Sequence, residues 1–130
     1  MSTPFYHAMV KKIVVVEDEP ILLKALNLEL LSADFVVFSA SNGEAGVELI
    51  TKEKPDLVLM DAMMPKMGGF EALGLLKKQA STKEIPVIIL SNLGQDSDKE
   101  KAAKLGAVDY FVKSSTDLEV LVERIKKLLS

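Results

Sequence analysis

The sequence contains no cysteine and a single histidine, His7. The first absence removes disulfide frameworks, cysteine-ligated zinc and cysteine nucleophiles together, and it fits a reducing compartment. His7 lies in an N-terminal stretch without structural period. There is no long basic run either: 16 Lys and Arg stand against 19 Asp and Glu, a net charge of -3, which disfavours direct nucleic-acid binding. No apolar run approaches the ~18 residues that a membrane span requires, and the first residues lack the charged-then-apolar order of a signal peptide. The expectation is a soluble, cytoplasmic protein. At 130 residues the chain has room for one domain with one sizeable core, and none for a second folded module. Residues 1–9 read as a flexible leader, with Met9 followed by Val-Lys-Lys resembling a second start, so the folded unit is expected over 10–130.

Within that unit, apolar runs of strand length occur at Ile13–Val16, Phe35–Phe38, Leu57–Met60, Val87–Leu90 and Tyr110–Val112. Segments of helical period lie between them. The first helix is predicted from Pro20, a residue suited to the first helical position, to about Ser32, and its apolar set Ile21, Leu22, Ala25 and Leu28 recurs at helical spacing. The second is predicted to open with a capping box at Ser41-Asn-Gly-Glu44, the fourth with one at Ser97-Asp-Lys-Glu100 and the fifth with one at Thr116-Asp-Leu-Glu119. The third spans about Gly69 to Gln79, and Gly69 is expected to supply backbone freedom at its start. A strand–helix unit repeated five times, with Val- and Ile-rich strands, points to an α/β fold: a five-stranded parallel sheet sandwiched by helices.

In such folds ligands bind beyond the carboxyl ends of the strands. Those positions carry Glu17, Asp18 and Glu19 after the first strand, Asp61 after the third, Ser91 and Asn92 after the fourth, and Lys113 after the fifth. Carboxylates brought together resist joint ionisation unless a cation neutralises them. Mg²⁺ suits the set, because it takes oxygen ligands and binds through one or two carboxylates plus phosphate oxygens. A lysine and a hydroxyl beside it would contact phosphoryl oxygens, and an aspartate can form an aspartyl phosphate.

The motifs VVVEDEP, LVLMDAMMPKMGG, VIILS and DYFVK, in that order and spacing, resemble the receiver domain of two-component response regulators over about Val10 to Leu129. The resemblance implies a flavodoxin-like (βα)5 doubly wound sandwich with strand order 2-1-3-4-5. It implies that Asp61 is the phosphoacceptor and that Mg²⁺ is held by Asp18, by Glu17 largely through water, by Asp61 and by the backbone carbonyl of Met63. Ser91 would be the switch hydroxyl, Lys113 the partner of Asp61, and Tyr110 the aromatic that turns inward when the hydroxyl moves. The donor would be a histidine kinase or phosphotransfer protein. A downstream protein target, an output domain or a homodimer partner would meet the surface of the fourth helix, fifth strand and fifth helix. Such a domain is a signalling module that catalyses only its own phosphorylation and dephosphorylation.

Two positions depart from the family pattern. Ser114 replaces the usual proline after the lysine, so a trans Lys113-Ser114 peptide is predicted, because a cis bond before a non-proline residue costs about 3 to 4 kcal/mol. Asn92 replaces a smaller residue beside the acceptor. Met63 and Leu93 are apolar where the family controls water access, which predicts slow loss of the phosphoryl group. A haloacid-dehalogenase-type phosphotransferase is opposed by Met63, which stands where that family has its second acid. A nucleotide- or flavin-binding domain is opposed by the glycine-free EDEP loop. A pseudo-receiver, keeping the fold as an interaction module without phosphorylation, is the alternative that remains.

Overall fold

The computed structural model describes residues 10–130, and the leader predicted over 1–9, with His7, lies outside the described residues. Among the described residues five strands alternate with five helices: β1 Lys12–Val16, α1 Pro20–Ser32, β2 Val36–Ala40, α2 Gly43–Glu53, β3 Leu57–Asp61, α3 Gly69–Lys78, β4 Val87–Ser91, α4 Asp96–Lys104, β5 Asp109–Val112 and α5 Leu118–Leu129. A 3-10 turn, Lys113–Ser115, joins β5 to α5. The strands form one parallel sheet in the order β2-β1-β3-β4-β5, as the resemblance implies. No helix among the described residues is long and apolar enough to cross a membrane.

Side chains of successive strand residues point to opposite faces of a sheet, and the two cores divide on that parity. Val14, Val16, Val58, Met60, Val87 and Ile89 pack with Ile50, Leu73, Leu76 and Ala102 of α2, α3 and α4. Ile13, Val15, Leu57, Leu59, Ile88 and Leu90 pack with Leu26 and Leu30 of α1 and Leu121 and Ile125 of α5. The central strands are therefore buried on both faces, and their apolar runs are unbroken for that reason.

Several local expectations shift. Of the apolar set read on α1, Leu22 packs against the core, whereas Ile21 is 88% exposed and Leu28 is also exposed; the buried stripe is Leu26 and Leu30. A helix with leucine at so many positions offers more than one stripe at helical spacing, and the sheet selects among them. The cap of α2 is Asn42 rather than Ser41: Asn42 Oδ1 accepts from Ala45 N at 2.8 Å, and Gly43 N donates to Met67 O at 3.1 Å, tying the helix start to the loop after β3. Helix α4 starts after Gln95, whose N–H donates to Asp98 Oδ2 at 3.2 Å, so Asp98 replaces Glu100 as the acid of the box. Thr116 does not cap α5: its hydroxyl donates to Val112 O at 2.7 Å, closing the 3-10 turn, and Asp117 stands at the helix start. Phe35 falls outside β2 because its N–H returns to Leu30 O at 3.1 Å and finishes the end of α1.

Gly69 is required for a different reason from the one its position in the sequence implies. Positive φ belongs to Gly106 alone among the described glycines, so Gly69 is not using special backbone freedom. A Cβ there would stand 2.1 Å from Asp61 O and 2.9 Å from Ala62 Cα. The absence of a side chain lets α3 press onto the backbone that carries Asp61.

Candidate functional site

Sheet register assembles the site. Val16 pairs with Met60, so the next residue, Glu17, falls beside Asp61, the last residue of β3. Asp61 pairs with Leu90, and Ser91 pairs with Val112, which places Ser91 and Lys113 one and two steps past the Asp61 row. β3 and β4 thus run one residue further than their apolar stretches, and Asp61 and Ser91 are strand residues rather than loop residues.

Asp61 is 4% exposed, and Glu17 and Ser91 are also buried. Each oxygen of Asp61 has a donor: Met63 N donates to Oδ1 at 3.2 Å and Lys113 Nζ to Oδ2 at 3.0 Å. Lys113 also donates to Glu17 Oε2 at 3.2 Å and to Glu19 Oε1 at 3.0 Å. Its placement is compatible with a trans Lys113-Ser114 bond, since no cis peptide occurs among the described residues. Ser91 Oγ accepts from Leu93 N at 3.1 Å. The Tyr110 hydroxyl donates to Leu93 O, and the ring packs, partly buried, against the core on the α2–α4 face. Asn92 and Met63 are both exposed.

Burial dominates the electrostatics. It pushes the Glu17 carboxyl up to about 7, against the Glu19 N–H and Lys113 that favour its charge, with Asp61 adding repulsion. It also raises Asp61; Lys113 and the Met63 N–H oppose that shift, and the nearby Asp18 carboxyl reinforces it. Burial alone would lower Lys113, but its bonds to Asp61, Glu17 and Glu19 prevail and raise it. The ammonium is therefore firmly charged, and the acids around it are not all comfortably ionised.

One carboxylate oxygen from each of Glu17, Glu19 and Asp61 lies within 4.8 Å of the others. Glu17 Oε1 is buried and accepts no hydrogen bond, although Lys113 Nζ stands 3.0 Å away, outside bonding angle. A hard divalent cation fits such a set: it supplies the positive charge that a lone lysine leaves short and a partner for the orphaned oxygen. The tight trio includes Glu19 and not Asp18, which faces Asp61 instead. Glu19's bond to Lys113 is the contact that sequence reasoning missed. The only advance signal was its membership of the EDE run.

The model of the response regulator receiver domain matches residues 13–126. The chain belongs to this family. This receiver domain is 40% identical over 119 residues to protein PilH of Pseudomonas aeruginosa, a match covering 92% of the chain and 98% of PilH. It is 34% identical over 121 residues to the phosphate regulon transcriptional regulatory protein PhoB of Klebsiella pneumoniae, covering 93% of the chain but only 52% of PhoB. The chain thus spans about half the length of several transcriptional regulators that it matches and nearly the whole of PilH. Among solved structures, a response regulator of Chloroflexus aurantiacus superposes with a TM-score of 0.86 at 28% identity, covering 92% of this chain and 98% of that one. The BeF3-activated N-terminal receiver domain of Klebsiella pneumoniae RstA superposes at 0.84 with 34% identity, covering 91% and 97%. The receiver domain is accordingly a module of two-component signalling.

Proposed function

We propose that Asp61 accepts a phosphoryl group from a phosphohistidine of a histidine kinase or phosphotransfer protein in a Mg²⁺-dependent reaction in the cytoplasm. The observation that carries this reading is a buried carboxylate at the carboxyl edge of the sheet, bonded to Lys113 at 3.0 Å and flanked by the buried Glu17. In the transfer, an Asp61 oxygen attacks phosphorus, the new P–O bond forms as the P–N bond breaks, and the imidazole leaves with the bonding pair. The Met63 N–H and Lys113 orient the two carboxylate oxygens, and Lys113 moves its donor to a phosphoryl oxygen as charge develops there. Glu17, Asp18, Asp61 and the Met63 carbonyl would hold Mg²⁺, which supplies charge neutralisation between carboxylates and phosphoryl group.

Ser91 reaches the phosphoryl group by exchanging the Leu93 N–H for a phosphoryl oxygen. Tyr110, bonded to Leu93 O, is coupled to that loop through the same residue. The state of Asp61 thereby biases the surface of α4, β5 and α5 toward a downstream protein, an output domain or a second copy. The apolar Met63 and Leu93 cannot orient an attacking water, so the phosphoryl group should persist for many minutes.

Incubation with acetyl phosphate and Mg²⁺ should add the mass of one phosphoryl group to the protein and none to an Asp61→Asn variant. No gain in the unmodified, folded protein would favour the pseudo-receiver.

A further inference from the structure

The cation that the orphaned Glu17 Oε1 calls for would be shared between two segments, the end of β1 and the loop that joins β3 to α3. Its affinity therefore depends on what sets their spacing. The loop is pinned at both ends by helix starts: Gly69 N donates to Ala62 O at 2.8 Å, and Gly43 N, in the first residue of α2, donates to Met67 O at 3.1 Å. Between the pins, Met63 N reaches back to Asp61 Oδ1 at 3.2 Å, and Lys66 holds a left-handed φ of 68°. A lysine keeps that conformation only where its surroundings impose it.

We propose that Gly43 is a positioning residue for the Mg²⁺ site: it lets the start of α2 seat the β3–α3 loop, and with it the Met63 carbonyl, against the end of β1. Its role rests on the reading in which Glu17 and the Met63 carbonyl share the ion, and it adds the part that spaces them. A Cβ on Gly43 would stand 2.1 Å from Met67 O, 2.8 Å from Met67 C and 2.9 Å from Met67 Cβ. None of these atoms can be turned aside by a rotamer change, so the helix start or the loop would have to move, and either movement loses the seat. One turn on, the same face of α2 meets the other segment: a Cβ on Gly46 would stand 2.8 Å from Val16 Cγ1, on the residue before Glu17. The first turn of α2 thus touches both carriers of the site without contributing a ligand to it.

The test is Mg²⁺ binding by calorimetry to the wild type, Gly43→Ala and Ile50→Val, joined to amide hydrogen exchange on the wild type with and without Mg²⁺. Ile50 is fully buried two turns further along α2, so valine there loosens the same helix without a new atom at Met67. Gly43→Ala should bind Mg²⁺ about tenfold or more weakly, the lower end of what a lost outer support costs a metal site, and Ile50→Val should stay within about twofold of the wild type. Because coupling is reciprocal, saturating Mg²⁺ should slow exchange of the wild-type Gly43 N–H by a similar factor, about tenfold. The Lys54 N–H, bonded to Ile50 O at the far end of α2, should be unchanged. Wild-type affinity in Gly43→Ala would overturn the seat, and so would an equal loss in Ile50→Val, which would mark general loosening. Unchanged Gly43 exchange on adding Mg²⁺ would overturn it as well, and that arm decides alone if Gly43→Ala does not fold. A wild type that binds no Mg²⁺ removes the shared-ion reading and the seat with it. One that binds Mg²⁺ beside an indifferent Gly43→Ala removes the seat alone.

Discussion

Replacing Gly69 by alanine should damage both the fold and the site, and a neighbouring glycine provides the control. The added Cβ would stand 2.1 Å from Asp61 O and 2.9 Å from Ala62 Cα, both backbone atoms that no side-chain rotation can move aside. Either α3 retreats from the sheet or the peptide carrying Asp61 shifts. Overpacking of this kind costs typically about 1 to 3 kcal/mol. At Gly74, in the middle of the same helix, a Cβ would meet nothing nearer than Leu105 Cδ2 at 3.9 Å, so alanine there should stabilise by up to about 1 kcal/mol through helix propensity. For a domain of this length, Gly69→Ala should lower the melting temperature by roughly 3 to 15 °C while Gly74→Ala raises it by a few degrees. Urea denaturation with unchanged m-values would confirm that the native state is what changed. The acetyl phosphate reaction of folded Gly69→Ala should also slow, on the order of a hundredfold if the Asp61 carboxylate moves by about 1 Å. A Gly69→Ala protein as stable and as reactive as Gly74→Ala would refute the claim that α3 is seated on the Asp61 peptide.

With divalent cations chelated, stability should fall as pH rises from about 4.5 to about 7. Glu17 binds a proton more tightly folded than unfolded, so its contribution is complete below its ordinary value, is lost through that window and is flat above it. Thermal melts across the window should show this slope and its flattening in Glu17→Gln, and a melting temperature that rises with pH would contradict it. Ile21 is 88% exposed in the first turn of α1, two residues past Glu19, and a large apolar side chain so exposed is expected to dock a protein donor. Ile21→Glu should slow phosphotransfer from a cognate kinase about tenfold or more while leaving the acetyl phosphate reaction unchanged, and equal loss in both assays would remove the docking role.

The fold was legible because two periods alternate along the chain. Strands with one solvated face alternate apolar and polar residues, whereas Ile13–Val16 and Val87–Leu90 are continuously apolar and, at four residues each, suit strands covered on both faces. What was not legible is where tertiary contact chose between local options. Ser41 and Asn42 are comparable caps, and the bond from Gly43 N to Met67 O settles the choice from outside the helix. Ile21, Leu22, Leu26, Leu28 and Leu30 form overlapping stripes, and only the position of the sheet makes Leu26 and Leu30 the buried pair.

The site divides in the same way. Asp61, Glu17, Ser91 and Lys113 directly follow the apolar strand runs, and the register of a parallel sheet converts that into proximity with little dependence on side-chain direction. Glu19 lies beyond β1 in an acidic run, where a solvated helix-start residue is the ordinary outcome. Its reach to Lys113 depends on the fold of the loop, which the Glu19 N–H to Glu17 Oε2 bond sets, and on a rotamer that no sequence pattern encodes. Gly69 makes the same point in backbone terms. A glycine before a helix reads as a turn, but the requirement here is a contact between elements, visible only once α3 lies on β3. The residues that place charge at the sheet edge could be read from the strands, and those that hold that charge in position could not.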